Sequence, residues 1–124
     1  MSQRQIFISY ARDDKKWAEW LREQLTKHGF EIWMDAASLP AGHSFIEEIQ
    51  KTIERSDIVL AILSPNYFQS TWSQQETAVA AARKVPIIPV LVEPCEVQGF
   101  LRYYNFADLT GDKYKGVQAV LRAA

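Results

Sequence analysis

The sequence predicts an α/β fold: a flavodoxin-like three-layer sandwich with a five-stranded parallel sheet in the order 2-1-3-4-5 and helices on both faces. Three observations predict it. Short apolar runs alternate with amphipathic stretches along the chain, the pattern of β–α units wound into a parallel sheet. One run, Asp57-Ile58-Val59-Leu60-Ala61-Ile62-Leu63, is almost continuously apolar, as a central strand covered on both faces must be. The 124 residues, 48% hydrophobic and 23% charged, suffice for one core and not for two. Five strands favour the order in which the first and third flank the switch point, with right-handed crossovers. Residues 1–124 are read as a single domain, either a short complete protein or the N-terminal domain of a longer one.

Each element has its own local reason. Ile6-Phe7-Ile8, ending in Ser9-Tyr10, reads as a buried strand. From Asp13 to His28, Trp17, Trp20, Leu21 and Leu25 recur at helical spacing. Asp13 and Asp14 suit the positive end of that helix, and Gly29 suits its C′ position. Phe30 to Met34 is a second strand, and Asp35 to Ser44 a loop holding Pro40 and Gly42. Ile46, Ile49 and Ile53 form one face of a second helix, with Ser44 and Glu47 spaced as a capping box. After the central strand, Ser64-Pro65-Asn66 breaks the run, and a helix from about Trp72 to Arg83 follows. Ile87 to Val92 is a fourth strand, near the sheet edge because Pro89 cannot donate to a ladder. Tyr103 to Leu109 is a weak fifth strand, and Tyr114 to Leu121 a short last helix. Ligands in such folds sit beyond the carboxyl ends of the strands, so the loops after Tyr10 and Leu63 should flank the crevice.

The inventory excludes several functions. Lys+Arg 14 against Asp+Glu 15 gives a net charge of −1, which argues against a broad nucleic-acid or anionic-membrane surface. No apolar stretch approaches the ~18–20 residues of a membrane span, and no secretory signal is visible. The single Cys95 excludes an internal disulfide, and with His28 and His43 it makes no metal set. One cysteine fits a reducing compartment, so a cytoplasmic location is expected. The glycines form neither a G-x-G-x-x-G nor a phosphate loop. A receiver domain would need a carboxylate at the end of the third strand, where Ser64-Pro65 stands.

The informative segment is Ser70-Thr71-Trp72-Ser73-Gln74-Gln75-Glu76. On a helix Trp72 and Glu76 lie one turn apart on one face, continued by Val79, Ala80 and Arg83. Two readings stand side by side. Ser73-x-x-Glu76 is a capping-box pattern at a helix start, and Trp72 is a core residue. Alternatively, Glu76 is a functional carboxylate in the first turn, walled by Trp72.

Taken together, the motifs resemble the TIR (Toll/interleukin-1 receptor) family. The resemblance runs from Ile6 to Leu121. It rests on Phe7-Ile8-Ser9-Tyr10 with Arg12-Asp13, then on Gly29-Phe30-Glu31-Ile32-Trp33-Met34-Asp35 running into Leu39-Pro40-Ala41-Gly42. Ile49, Ile53, Ser56, Leu63-Ser64-Pro65-Asn66-Tyr67 and Ser70-x-Trp72-x-x-x-Glu76 complete it. The family's Phe-Trp pair near the last helix is not visible, and Ser73 stands where a Cys is frequent. The family divides between scaffolds that only assemble with other TIR domains and enzymes that cleave NAD between nicotinamide and ribose.

The resemblance implies a catalytic Glu76, one turn after Trp72. It implies NAD as substrate with no cofactor, and nicotinamide plus ADP-ribose or a cyclic isomer as products. Nicotinamide leaves as a neutral pyridine from a cationic ring, so one carboxylate without a general acid suffices; ordinary glycoside hydrolysis uses two. Phe7, Tyr10, Trp33 and Phe45 are candidates for an aromatic slot, and Trp72 for part of its wall. Arg12 is a candidate for the pyrophosphate. Asp35 and Gly42 shape the gating loop, and Ser44 either touches substrate or caps its helix. Leu39, Pro40, Ala41, Gly42 and His43 form the expected assembly loop. The expected partners are other TIR domains, with activity raised by assembly and a role in antiphage or cell-death signalling.

Overall fold

The computed structural model describes residues 4–34 and 45–124. The strands are β1 (Gln5–Ser9), β2 (Glu31–Trp33), β3 (Ile58–Leu63), β4 (Ile87–Leu91) and β5 (Ala107–Asp108). They form one sheet in the order β2-β1-β3-β4-β5, parallel throughout. The helices are α1 (Lys15–Thr26), α2 (Phe45–Arg55), α3 (Pro65–Gln69), α4 (Thr71–Ala82) and α5 (Lys113–Ala123).

Strand alternation divides the core into two layers. Ile6 and Ile8 of β1 and Ile58, Leu60 and Ile62 of β3 meet Ala18, Leu21 and Leu25 of α1 and Val117 and Val120 of α5. The intervening residues Phe7, Val59, Ala61 and Leu63 face the other way, toward Ile49 and Ile53 of α2, Tyr67 of α3 and Ala80 of α4. This period of two in β3, with every residue buried, is what its unbroken apolar sequence requires. α1 closes as expected around Gly29 at φ +88, where Gly29 N donates to the Thr26 carbonyl and Phe30 N to that of Leu25.

The structure differs from the sequence expectation at three places. The stretch expected to start the fifth strand is a 3-10 helix, Gly99–Tyr103, and pairing is confined to Ala107–Asp108. β4 is next to the edge, as the predicted order requires; β5 pairs with it only at Val90 and Leu91, beyond Pro89. The Ser64-Pro65 break is itself a helix start: Ser64 Oγ accepts from Tyr67 N at 3.2 Å and Pro65 opens α3. Finally, Arg12–Asp14 is a 3-10 turn before α1, and Asp14 makes no side-chain cap there. Its buried carboxylate instead accepts from Ser64 Oγ and, at 3.2 Å, from Asn66 Nδ2. The two loops expected to flank an open crevice are therefore tied together across the switch point.

Candidate active site

α4 begins at Ser70, whose hydroxyl oxygen accepts from Ser73 N at 3.2 Å. This fixes the register of the helix and removes the capping-box reading of Glu76. Ser73 is the third helical residue, not the cap, so Ser73-x-x-Glu76 is no capping box. Glu76 stands in the second turn rather than the first. Its carboxylate crosses to the sheet instead: Ser9 Oγ, at the end of β1, donates to Glu76 Oε1 at 2.9 Å.

The buried stripe of α4 is Ser73, Glu76, Thr77 and Ala80, at spacings of three, one and three. A helix that turns a mostly polar stripe inward must find partners there. Ser9 reaches it because Phe7 and Ser9 share the sheet face opposite Ile8. Tyr67 brings its hydroxyl to 3.0 Å from the Ser73 carbonyl, 3.2 Å from Ser9 Oγ and 3.3 Å from Thr77 Oγ1. Thr77 Oγ1 in turn donates to the Gln74 carbonyl at 3.0 Å. Burial pushes the Tyr67 phenol far above its ordinary range. The hydrogen bonds of Ser9 and Thr77 oppose this and the Glu76 charge adds to it, so the phenol stays neutral.

Glu76 is only 5% exposed, yet it lines a cleft of about 310 Å³ between α2 and α4. The other lining residues are Ile49, Gln50, Trp72, Gln75, Ala78 and Val79. Arg83 Nε and Glu54 Oε1, 3.0 Å apart, link the same two helices. The cleft is at the lower end of ligand-pocket volumes, ~300–1,000 Å³. It holds a carboxylate against an aromatic and aliphatic wall, an environment that strengthens any interaction with a developing cation.

The sequence candidates divide between this cleft and other places. Glu76 and Trp72 come together in it, with Trp72 37% exposed. Phe7 does not line it: the ring is 1% exposed in the core between the sheet and the α2–α4 layer, so packing accounts for it. Tyr10 packs against the cluster of the α1–α5 layer, across the sheet. Arg12 is exposed in the turn after β1. Trp33, 44% exposed, ends β2 between Ile32 and Met34, which pack on the α1–α5 layer, so its ring projects from the Glu76 face. Asp35, Gly42, Ser44 and the assembly loop Leu39, Pro40, Ala41, Gly42 and His43 lie outside the described residues, as does the side chain of Phe45. The cleft that holds Glu76 lies between α2 and α4; the loop expected to shape a crevice over the strand ends, residues 35–44, lies outside the described residues.

Sequence reasoning missed Ser9 as a partner of the carboxylate, Tyr67 and Thr77 as the hydroxyls behind Ser9, Ile49 and Gln50 as the facing wall, and the Asp14 link. One signal was present. A serine at the inward register of a buried strand and a glutamate on a helix face shared with Ala80 each need a buried polar partner.

Comparison with known proteins agrees with the fold. Residues 6–121 match the family model described as TIR domain, and the chain belongs to that family. It is 31% identical over 81 residues to the 2′ cyclic ADP-D-ribose synthase BtTIR of Bacteroides thetaiotaomicron, an alignment covering 64% of this chain and 28% of that protein. It is 38% identical over 72 residues to the NAD(+) hydrolase PdTIR of Paracoccus denitrificans, covering 57% of this chain and 24% of that protein. The matched region is thus a minor part of both relatives. The TIR domain of the Toll-related receptor TRR-2 from Hydra magnipapillata superposes with a TM-score of 0.83 at 26% identity, over 95% of each chain.

Proposed function

We propose that this TIR domain cleaves NAD at the nicotinamide–ribose bond, with Glu76 as the catalytic carboxylate. One observation carries the reading: a carboxylate withdrawn from water, held by Ser9 and set beside Trp72 in the wall of a cleft. The C1′–N bond breaks, its electrons neutralise the pyridinium, and positive charge develops on the ribose. Glu76 stabilises that charge and binds ribose hydroxyls, while Trp72 walls the nicotinamide. Water attacks C1′ and releases a proton, giving ADP-ribose; a ribose or adenine group of the same molecule gives a cyclic isomer instead. Similarity to a cyclic ADP-D-ribose synthase and to an NAD(+) hydrolase supports the substrate class. The cleft suits the nicotinamide riboside half. The remainder of the dinucleotide then extends past it, where Trp33 and Arg12 are candidates for the adenine side and the pyrophosphate.

Assembly with further TIR domains is the second part of the reading. The exposed aromatics Phe100, Tyr103, Tyr104 and Phe106 favour it, because such groups crowded into one short segment mark contact surfaces. A signalling role, in antiphage or cell-death responses, follows as the expected use of such an activity.

The test is incubation of concentrated protein with NAD and chromatography of the products, beside Glu76→Gln. Nicotinamide release that disappears in the variant and rises per molecule with protein concentration supports both parts. Equal specific activity at all concentrations removes the assembly requirement. Absence of release at the highest concentration leaves a module that signals by homotypic contact alone.

A further inference from the structure

Ser9 carries a single hydroxyl proton and faces three acceptors: Glu76 Oε1 at 2.9 Å, the Tyr67 phenol oxygen at 3.2 Å and the Ser73 carbonyl at 3.3 Å. Which acceptor receives that proton decides whether Ser9 helps to hold the carboxylate. Tyr67 bears on the choice. Its own proton reaches the Ser73 carbonyl at 3.0 Å, Ser9 Oγ at 3.2 Å or Thr77 Oγ1 at 3.3 Å. In the first case it occupies the competing carbonyl. In the second it donates to Ser9 and polarises the Ser9 hydroxyl toward the carboxylate. These two arrangements favour donation by Ser9 to Glu76, its shortest contact and a charged acceptor; donation by Tyr67 to Thr77 leaves the choice to the carboxylate's charge alone.

The phenol is itself fixed. Tyr67 is fully buried, its ring packs edge-on against Phe68, and its backbone N–H is capped by Ser64, which Asp14 grips from the β1 side. The hydrogen-bonded chain thus runs from Asp14 through Ser64, Tyr67 and Ser9 to Glu76, joining both loops of the switch point to the cleft.

We propose that Tyr67 and Ser9 are positioning residues for Glu76, with the Tyr67 hydroxyl setting the direction of the Ser9 proton and Ser9 fixing the rotation of the carboxylate. The inference rests on the assignment of Glu76 as the catalytic group. Its distinguishing content is that the Tyr67 hydroxyl, not the ring, matters to the reaction. A tyrosine present only to fill the core would lose nothing in turnover when replaced by phenylalanine.

The test compares Tyr67→Phe and Ser9→Ala with the wild type in two readouts, after circular dichroism and melting confirm folding. The first is steady-state NAD cleavage. Ser9→Ala should lower kcat about 10- to 100-fold and Tyr67→Phe about 2- to 10-fold, with KM held within about twofold in both. The second needs no turnover: the side-chain carboxyl ¹³C resonance of Glu76 in glutamate-labelled protein, identified by its loss in Glu76→Gln. It should move in both variants. Wild-type cleavage with kcat and the resonance unmoved in Tyr67→Phe overturns the role of Tyr67, and the same result in Ser9→Ala overturns that of Ser9. A resonance that moves in both variants of a protein without NAD cleavage supports the hydrogen-bond arrangement and overturns its use in that reaction. Should one variant not fold, the other decides its own link of the chain.

Discussion

Glu76→Gln is the most discriminating substitution because it separates stability from chemistry. The amide matches the carboxylate in shape and keeps an oxygen for the Ser9 hydroxyl, now 2.9 Å from Glu76 Oε1. A hydrogen bond to a charged acceptor is worth ~1.5–3 kcal/mol and one between neutral groups ~0.5–1.5 kcal/mol, so the exchange loses about 1 kcal/mol. Against this, a group only 5% exposed no longer carries a charge out of water, a relief of comparable size and opposite sign. The net stability change is therefore within about 1 kcal/mol of zero, a Tm shift of no more than about 4 °C. Catalysis has no such compensation. Preorganised groups that meet developing charge are worth ~2.7–4 kcal/mol each, so turnover should fall ~10²- to 10³-fold. The assay is nicotinamide release with melting measured on the same preparations. Turnover within about tenfold of wild type would refute the electrostatic role; an equal loss caused by unfolding would show as a large drop in Tm. Glu76→Ala is the poorer probe, because it opens a cavity and removes the acceptor of Ser9 at once.

Other parts of the structure give independent tests. Asp14→Ala deprives Ser64 and Asn66 of their shared acceptor and should cost roughly 2 kcal/mol in chemical denaturation; an unchanged midpoint would show that the link across the switch point is not holding the loops. Gly116→Ala should destabilise by ~1–3 kcal/mol despite the better helix propensity of alanine. The new Cβ would lie 2.3 Å from Leu109 Cδ1 and 2.6 Å from the Asp108 carbonyl oxygen, and that backbone atom cannot step aside; a rise in Tm would contradict this packing. The Cys95 thiol is pushed up by burial first, then by Glu93 and Asp14, so it holds less thiolate at a given pH than a free cysteine. Alkylation near pH 8 should run slower than in a cysteine peptide, and an equal rate would count against the raised value.

The fold was legible because most elements obey one period each. β3 reads as a buried strand from sequence alone, and α1 from the spacing of Leu21 and Leu25 with Gly29 after it. The errors fall where two signals share a residue. Ser64-Pro65 reads as a breaker, yet the same pair is a helix cap and first-turn proline once Tyr67 supplies the N–H. Tyr103 to Leu109 has strand-forming residues, but only Ala107–Asp108 pair with β4, with Leu109 N adding one bond to the Leu91 carbonyl. The site was half legible for a related reason. Trp72 and Glu76 could be paired because their spacing is local, whereas Ser9 and Tyr67 meet Glu76 only through tertiary folding. α4 carries almost no amphipathic contrast, since its inward stripe is Ser73, Glu76 and Thr77 rather than leucines. That weakness is informative. A core-facing helix that withholds apolar residues from one stripe sacrifices hydrophobic stabilisation there, and the structure shows what replaces it: a closed hydrogen-bond network ending on a single carboxylate at a cleft. A helix that only packed would place leucine at position 76; a carboxylate held by Ser9, with the Tyr67 hydroxyl behind it, is the arrangement that the proposed charge-stabilising role calls for.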